Sequence, residues 1–392
     1  MRTAIIGAVL LCAGIIAAIS GILPWPATVE LIDRVLPILV FVVAITVVAE
    51  LAAAAGLFTF VAERLTVWAG GRTWLLWLLV VALAVLSTVF LSLDTTAVLL
   101  TPVVVVMARH VGLSPLPFAL TTVWLANTGS LLLPVSNLTN LLAEGRLGEM
   151  LGQRVSPIEF AWLTGAPAIV AILVTVAAIY LVCRRQLREG YTVAPTTRVA
   201  HPVLFATSAT TVAALIPALV SGLPVWIPAV LAALILVAVF AAFDRSALTF
   251  ALVPWPLLLL ASGLFLVMEA LHQLGLGELL DAAAGSGEDP LSLLRLAGAG
   301  LLGANAIDNL PAYLALEPVA NSPVRMVALL IGVNVGPLIT PWASLATLLW
   351  HQRLSALGVE ISWRRYMLLG LMVAPITVIL ATLALAASRA VT

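Results

Sequence analysis

The chain has 392 residues, 63% of them hydrophobic and only 9% charged, with a mean hydropathy of +1.19. A soluble domain cannot solvate such a surface, so the composition indicates a polytopic bundle of membrane helices. Acidic and basic residues balance at 18 each, every basic one an arginine, which leaves no basic footing for a nucleic-acid partner.

A spanning helix takes about 20 apolar residues. Ala4 to Leu23 is the first such run, read as a retained helix rather than a cleaved leader because it is long enough to span and a membrane bundle follows. Val35 to Ala55 is the second, and it carries Glu50. Leu57 to Gly70, with Glu63 and Arg64 among apolar residues, reads as an amphipathic helix in the interface. Thr73 to Arg109 is apolar but interrupted at Asp94-Thr95-Thr96. Pro117 to Leu142 is interrupted at Asn127-Thr128-Gly129-Ser130 and again at Pro134, Ser136 and Asn137. Pro157 to Val182 is an uninterrupted span, and Arg184 to His201 is a polar linker.

Beyond the linker, spans are predicted at Val203 to Val220, Val225 to Phe243 and Trp255 to about Leu274, the last with Glu269. Leu291 to Ala320 is interrupted around Asn305, Asp308, Asn309 and Pro311. Val324 to Trp350 is interrupted at Asn334-Val335-Gly336-Pro337 and Thr340-Pro341, and Trp363 to Ala387 closes the series.

The two halves repeat. Ala126 to Leu142 lies without gaps on Val333 to Leu349, so that Asn127 meets Asn334, Gly129 meets Gly336 and Pro134 meets Pro341. Upstream, Leu100-Thr101-Pro102 resembles Asn309-Leu310-Pro311, each after an intramembrane aspartate, and Glu50 resembles Glu269. The order is span with Glu, hairpin with Asp, broken helix with Asn-x-Gly, span. Such repeats are the mark of a secondary transporter with its site at the repeat interface. The expected organisation is residues 1–183 as the first repeat, 184–201 as a cytoplasmic linker, and 202–392 as an extra crossing helix plus the second repeat.

If each hairpin enters and leaves on one side, the extra crossing inverts the second repeat. A cytoplasmic N-terminus then places Arg2, Arg64, Arg72, Arg109, Arg184, Arg185, Arg188, Arg198, Arg245, Arg353, Arg364 and Arg365 inside. Arg34, Arg146, Arg154, Arg295, Arg325 and Arg389 fall outside, so the positive-inside rule favours this orientation. The fold class expected is therefore an all-α polytopic membrane protein, an inverted repeat with two re-entrant hairpins and two broken transmembrane helices.

Irregular backbone in lipid costs several kcal/mol per unpaired group, so the breaks must be buried in protein or face a wet cavity. Their half-helix N-termini offer partly positive N–H groups. The candidate substrate-binding residues are Asn127, Thr128, Gly129, Ser130, Ser136, Asn137, Asn309, Asn334, Gly336 and Thr340, with Asn140, Ser344 and Thr347 as further neutral donors and acceptors. Asp94 and Asp308, at the hairpin tips, are candidate proton carriers as well as N-caps, and Glu50 and Glu269 are further coupling candidates. His272, one turn after Glu269, is placed to pair with it. Tryptophans 25, 68, 74, 77, 255, 342, 350 and 363 flank spans and read as interfacial anchors. Gly298 to Gly303 matches the pattern GxGxxG, but in an apolar hairpin arm it signals close helix packing, not a dinucleotide. Cys12 and Cys183 lack CxxC or His-rich spacing and read as packing residues, so no metal and no cofactor is expected.

Ser92 to Ala108, Ala126 to Leu142 and Asn334 to Trp350, followed by Ile361 to Tyr366 (ISWRRY), resemble the arsenite efflux permease family ArsB, of the ion-transporter superfamily that also holds divalent-anion/sodium symporters. The resemblance implies export of arsenite and antimonite hydroxides in exchange for protons across the bacterial inner membrane. It also implies a scaffold domain, an elevator-like transport domain, and an ArsA-type ATPase as a possible partner; monomer and homodimer both fit. The chain departs from the family pattern at Leu93, Asp308-Asn309, Asn334 and Leu338, so that a carboxylate has changed places. The alternatives are a sodium- or proton-coupled carboxylate or sulfate importer of the same superfamily, and a channel or non-transporting membrane scaffold.

Overall fold

The computed structural model describes residues 2–193 and 195–389, and they are almost entirely helical. Among the described residues the only β pairing is an isolated bridge between Arg72 and Gly190. Eight helices among the described residues are long and apolar enough to cross a membrane: Trp25–Ala54, Thr73–Leu91, Leu93–His110, Pro157–Cys183, Pro202–Leu219, Trp226–Phe243, Trp255–Gln273 and Trp363–Ser388. Their outer faces carry large apolar side chains with no protein cover; Trp162 is 83% exposed and Leu234 60%. Such a surface is stable in hydrocarbon and not in water.

The second helix starts earlier than its apolar run. It covers Trp25–Ala54, 30 residues and about 45 Å. Pro24 and Pro26 set its first turn, where missing N–H groups cost nothing, and the charged stretch Glu30 to Arg34 continues the helix beyond the apolar segment. Gly56, in the left-handed region at φ +82°, then turns the chain into the amphipathic helix Leu57–Trp68.

Two hairpins and two broken helices fill the interior. The first hairpin pairs Thr73–Leu91 with Leu93–His110 through a turn at Ser92. The second pairs Pro290–Ala306 with Asn309–Leu316 through Ile307 and Asp308. The first tip therefore lies at Ser92 rather than at Asp94-Thr95-Thr96, because Ser92 takes φ +117° and caps the following turn. This also shifts the repeat: Pro102 stands 10 residues past the first tip and Pro311 stands 3 past the second, so these prolines are not structural equivalents.

The first broken helix runs Leu116–Thr128, unwinds through Gly129–Leu131 and Pro134–Ser136, and resumes as Leu138–Leu151. The second runs Pro323–Val335, its last five residues a π turn, and resumes after Ser344 as Leu345–Ala356. Gly300 and Gly332 let this π turn lie against the second hairpin; a Cβ on Gly332 would come within 2.3 Å of the Ala297 carbonyl oxygen. The GxGxxG string thus serves close packing.

Around this interior, Arg2–Ile19 packs along Trp255–Gln273, and Trp25–Ala54 packs against Trp226–Phe243 and Pro202–Leu219. Pro157–Cys183 and Trp363–Arg389 pack on each other and on the hairpins and broken helices. The linker is tied down: Glu63 accepts hydrogen bonds from the Thr197 N–H and hydroxyl, and the Tyr191 hydroxyl donates to the Thr66 carbonyl at 2.6 Å. Two tryptophans expected at the interface are core residues: Trp77 donates to Thr121 at 2.8 Å and Trp350 to the Ala119 carbonyl at 2.9 Å, both indoles fully covered. Trp25 and Trp68 stay exposed.

Candidate functional site

Four helix N-termini converge on one cavity of about 60 Å³. Their N-cap residues are Ser92, Asn137, Asp308 and Ser344, one from each hairpin tip and one from each break, and all four line it. Three of the caps are closed by their own side chains: Ser92 accepts from the Thr95 N–H at 3.3 Å, Asn137 from Thr139 at 3.3 Å and Asp308 from Leu310 at 3.1 Å. Asp94, Ser136 and Asn309 complete the polar lining. Thr46 with neighbours on Trp25–Ala54, and Leu257 and Leu260, close the far wall. No arginine or histidine lines the cavity. Larger clefts exist at the surface, such as the 340 Å³ one between Arg34, Glu144 and Arg154, but it lacks this convergence of caps.

Behind the cavity the two breaks are joined by amides. The Asn334 side-chain oxygen accepts from Asn137 Nδ2 at 3.0 Å and from the Thr139 hydroxyl at 2.7 Å, and its Nδ2 donates to Asn140 Oδ1 at 2.6 Å. Asn140 in turn donates to the Ser130 and Leu133 carbonyls, satisfying the unwound backbone. Ser136 donates to the Val89 carbonyl at 3.0 Å, tying the first break to the first hairpin.

The structure therefore sorts the predicted residues. Ser136, Asn137, Asn309, Asp94 and Asp308 line the cavity. Asn334 stands one layer behind. Asn127, Thr128 and Ser130 bond within their own helix, donating to the carbonyls of Val123, Trp124 and Asn127, and Gly129 lies under Thr88. The Gly336 carbonyl and the Thr340 hydroxyl and N–H all bond Asn305, fixing the second break to the second hairpin. Glu50 and Glu269 do not line the cavity. Glu50, at the far end of its helix, lies within the field of Arg353, and Glu269 accepts from Gln273 rather than His272. Both sit at helix ends, where sequence spacing alone could not distinguish them from midplane carboxylates.

Ser92 and Thr46 were not singled out from the sequence. Ser92 has a signal in retrospect, since Ser three residues before Thr95 fits an N-cap. Among those described it is the only non-glycine residue with φ between +20° and +160°. Thr46 hydrogen-bonds back to the Val42 carbonyl and has no sequence signature.

Residues 2–346 match the family model CitMHS, described as citrate transporter. Over 373 residues the chain is 30% identical to the arsenical pump membrane protein of Escherichia coli K12, covering 88% of this chain and 85% of that protein. The chain belongs to the ArsB family. Another relative, the putative arsenical pump membrane protein of Bacillus subtilis strain 168, is 24% identical over 83% of this chain and 81% of its own. The YdaH transporter of Alcanivorax borkumensis has the same fold, with a TM-score of 0.57 over 94% of this chain and 90% of that one at 16% identity. As an ArsB-family member with eight long apolar helices, the chain is a multi-pass membrane protein and a secondary transporter of the arsenical or citrate type.

Proposed function

We propose that this protein exports trivalent arsenic and antimony hydroxides from the bacterial cytoplasm in exchange for protons. The observation that carries this reading is the lining of the central cavity: two aspartates, neutral amides and hydroxyls, and no basic side chain. Arsenite is chiefly an uncharged trihydroxide at neutral pH, so its hydroxyls can donate to carboxylates and accept from amides without a counter-charge. A citrate or sulfate anion would instead face two carboxylates, with only helix N-termini to offset the repulsion. The small volume also favours a solute of few atoms.

The contacts at the two ends of the molecule support an inverted repeat. Arg109, at the open end of the first hairpin, donates to the Leu357 carbonyl at 2.6 Å, beside the end of the second broken helix. Glu317, at the open end of the second hairpin, pairs with Arg34 near the start of Trp25–Ala54. Arg34 and Arg154, both placed outside by the arginine distribution, share one cleft with Gly222. Glu63, His110 and Thr197, next in sequence to Arg64, Arg109 and Arg198 of the inside set, share another. These pairings support hairpins that open toward opposite faces and, with the arginine distribution, a cytoplasmic N-terminus; each tip lies beside a helix break at the cavity.

In this scheme the hairpins, broken helices, Pro157–Cys183 and Trp363–Arg389 form the transport domain. The helix pairs outside them form the scaffold, along which the cavity moves in an elevator-like cycle. An ArsA-type ATPase remains a partner of the family reading alone. Arsenite accumulation in cells lacking their own exporter tests the proposal: expression of this protein lowers it, and unchanged accumulation removes the proposal. Sodium-dependent dicarboxylate uptake into liposomes would replace it with the importer reading.

A further inference from the structure

The polar groups around the cavity fall into two sets. Asp308 is occupied. Its carboxylate accepts the Leu310 N–H at 3.1 Å, and the N–H groups of Asn309 and of Leu345, on the second broken helix, also face it. Asn137 and Ser136 are occupied as well, by Asn334 and by the Val89 carbonyl.

Three groups are left over. The Ser344 hydroxyl is buried, lines the cavity and has no hydrogen-bond partner, and it alone of the four N-caps makes no side-chain cap. Among the described residues, the Asn309 amide, 8% exposed, and the Asp94 carboxylate, on a half-buried residue open to the cavity, line it and make no side-chain hydrogen bond with the protein. Buried polar groups in native structures are almost always satisfied, so the unsatisfied Ser344 hydroxyl, beside an amide and a carboxylate that face the cavity without protein partners, marks where a ligand completes them. The three come from three different elements: the first hairpin, the second hairpin and the second break.

Asp94 differs from the other two in charge. An ionised carboxylate in a narrow, mostly apolar cavity is stabilised by whatever donors face it. Asp308 has N–H groups; Asp94 has only the N-terminal turn in which it lies. The groups facing it across the cavity are Asp308 and Asn309 from the second hairpin, Ser136 and Asn137 from the first break, Ser344 from the second and Thr46 from Trp25–Ala54. Of these only Asp308 is titratable, and no cation stands among them.

We infer that Asp94, and not Asp308, is the carboxylate that exchanges its proton for solute, with Ser344 and Asn309 holding the solute's remaining hydroxyls. Resting on the antiport reading above, this assigns the carrier within it. When the cavity is open to the cytoplasm, the Asp94 carboxylic acid gives its proton to water and the carboxylate accepts a solute O–H. When it is open outside, the solute leaves and Asp94 takes a proton from water, so one proton on Asp94 replaces one solute contact. Asp308 stays a positioning cap throughout.

The test uses the full-length protein in proteoliposomes, measuring arsenite accumulation driven by a pH gradient and arsenite counterflow without one. For Asp94→Asn, gradient-driven accumulation falls to that of protein-free vesicles while counterflow persists at a reduced rate. For Asp308→Asn, the two fall together and their ratio holds. Ser344→Ala raises the KM for arsenite and leaves the pH profile in place. Retained gradient-driven accumulation in Asp94→Asn, its loss of both activities, or loss of the gradient response in Asp308→Asn overturns the assignment. If Asp94→Asn is not monodisperse, Asp94→Glu serves instead, with a displaced pH profile expected and an unchanged one counting against the proposal. A wild-type protein that performs neither reaction on arsenite sinks the export reading itself, an outcome distinct from all of these.

Discussion

Asn334 and Asn137, each at the interruption of a different broken helix and 197 residues apart, are hydrogen-bonded side chain to side chain at 3.0 Å. Thr139 and Asn140 close the same network on Asn334, so one amide holds the two breaks together. Replacing Asn334 by Leu leaves buried donors and an acceptor unpaired, at about 1–3 kcal/mol for each group. The expected result is a clear fall in the Tm of the purified protein together with loss of transport. A variant with unchanged Tm would show that the network does not couple the breaks.

Arg34, on Trp25–Ala54, pairs with Glu317 at the end of the second hairpin, and the Tyr313 hydroxyl donates to the same carboxylate at 3.2 Å. The carboxylate is nearly buried while Arg34 keeps 28% exposure. A hydrogen bond to a charged group is worth about 1.5–3 kcal/mol, and the open side of Arg34 puts this pair at the lower end. Arg34→Met and Glu317→Gln should each lower thermal stability, and the double variant should cost less than the sum. Strict additivity in a double-mutant cycle would mean that the pair is not coupled.

Ser92 sits at φ +117° and ψ 160°, a region held almost entirely by glycine. Holding a side chain there costs on the order of 1–3 kcal/mol, whereas exchanging a serine cap for glycine costs only about a few tenths. Ser92→Gly should therefore raise the Tm, and Ser92→Val should lower it. Thermal melts of the two variants side by side give the sign of each.

Gly332 has no room for a methyl group, since the Ala297 carbonyl oxygen would stand 2.3 Å from it. Gly332→Ala must push the π turn away from the second hairpin, at about 1–3 kcal/mol for the overpacking. Reduced yield of monodisperse protein and a lower Tm are expected, while Gly298→Ala, with nothing within 4 Å of its added Cβ, should be silent.

The arrangement of the ends predicts sidedness. In a background without Cys12 and Cys183, Arg154→Cys should react with an impermeant thiol reagent added outside intact cells, and Arg109→Cys only after the membrane is opened. Labelling of both from one side would refute the inverted orientation of the hairpins.

The order of the apolar helices and their interruptions follows from the sequence, because burial in lipid imposes long apolar runs and departures from them are visible, although the first run, Ala4 to Leu23, ends as a helix at Ile19 and is shorter than the eight long ones. The breaks at Asn127 to Asn137 and Asn334 to Pro341 are legible for the same reason: glycine, proline and amides in an apolar helix must serve some purpose. Which of those polar residues face the cavity was decided only by tertiary structure. Asn127, Thr128 and Ser130 have the composition of a binding site yet bond their own helix, whereas Ser92, in an ordinary apolar context, becomes a cap at the site. Glu50 and Glu269 repeat across the halves but end away from the centre, since a one-dimensional repeat carries no depth. Asp94 and Asp308 read alike in the sequence; only the folded hairpins give one a set of N–H partners and leave the other facing an open cavity.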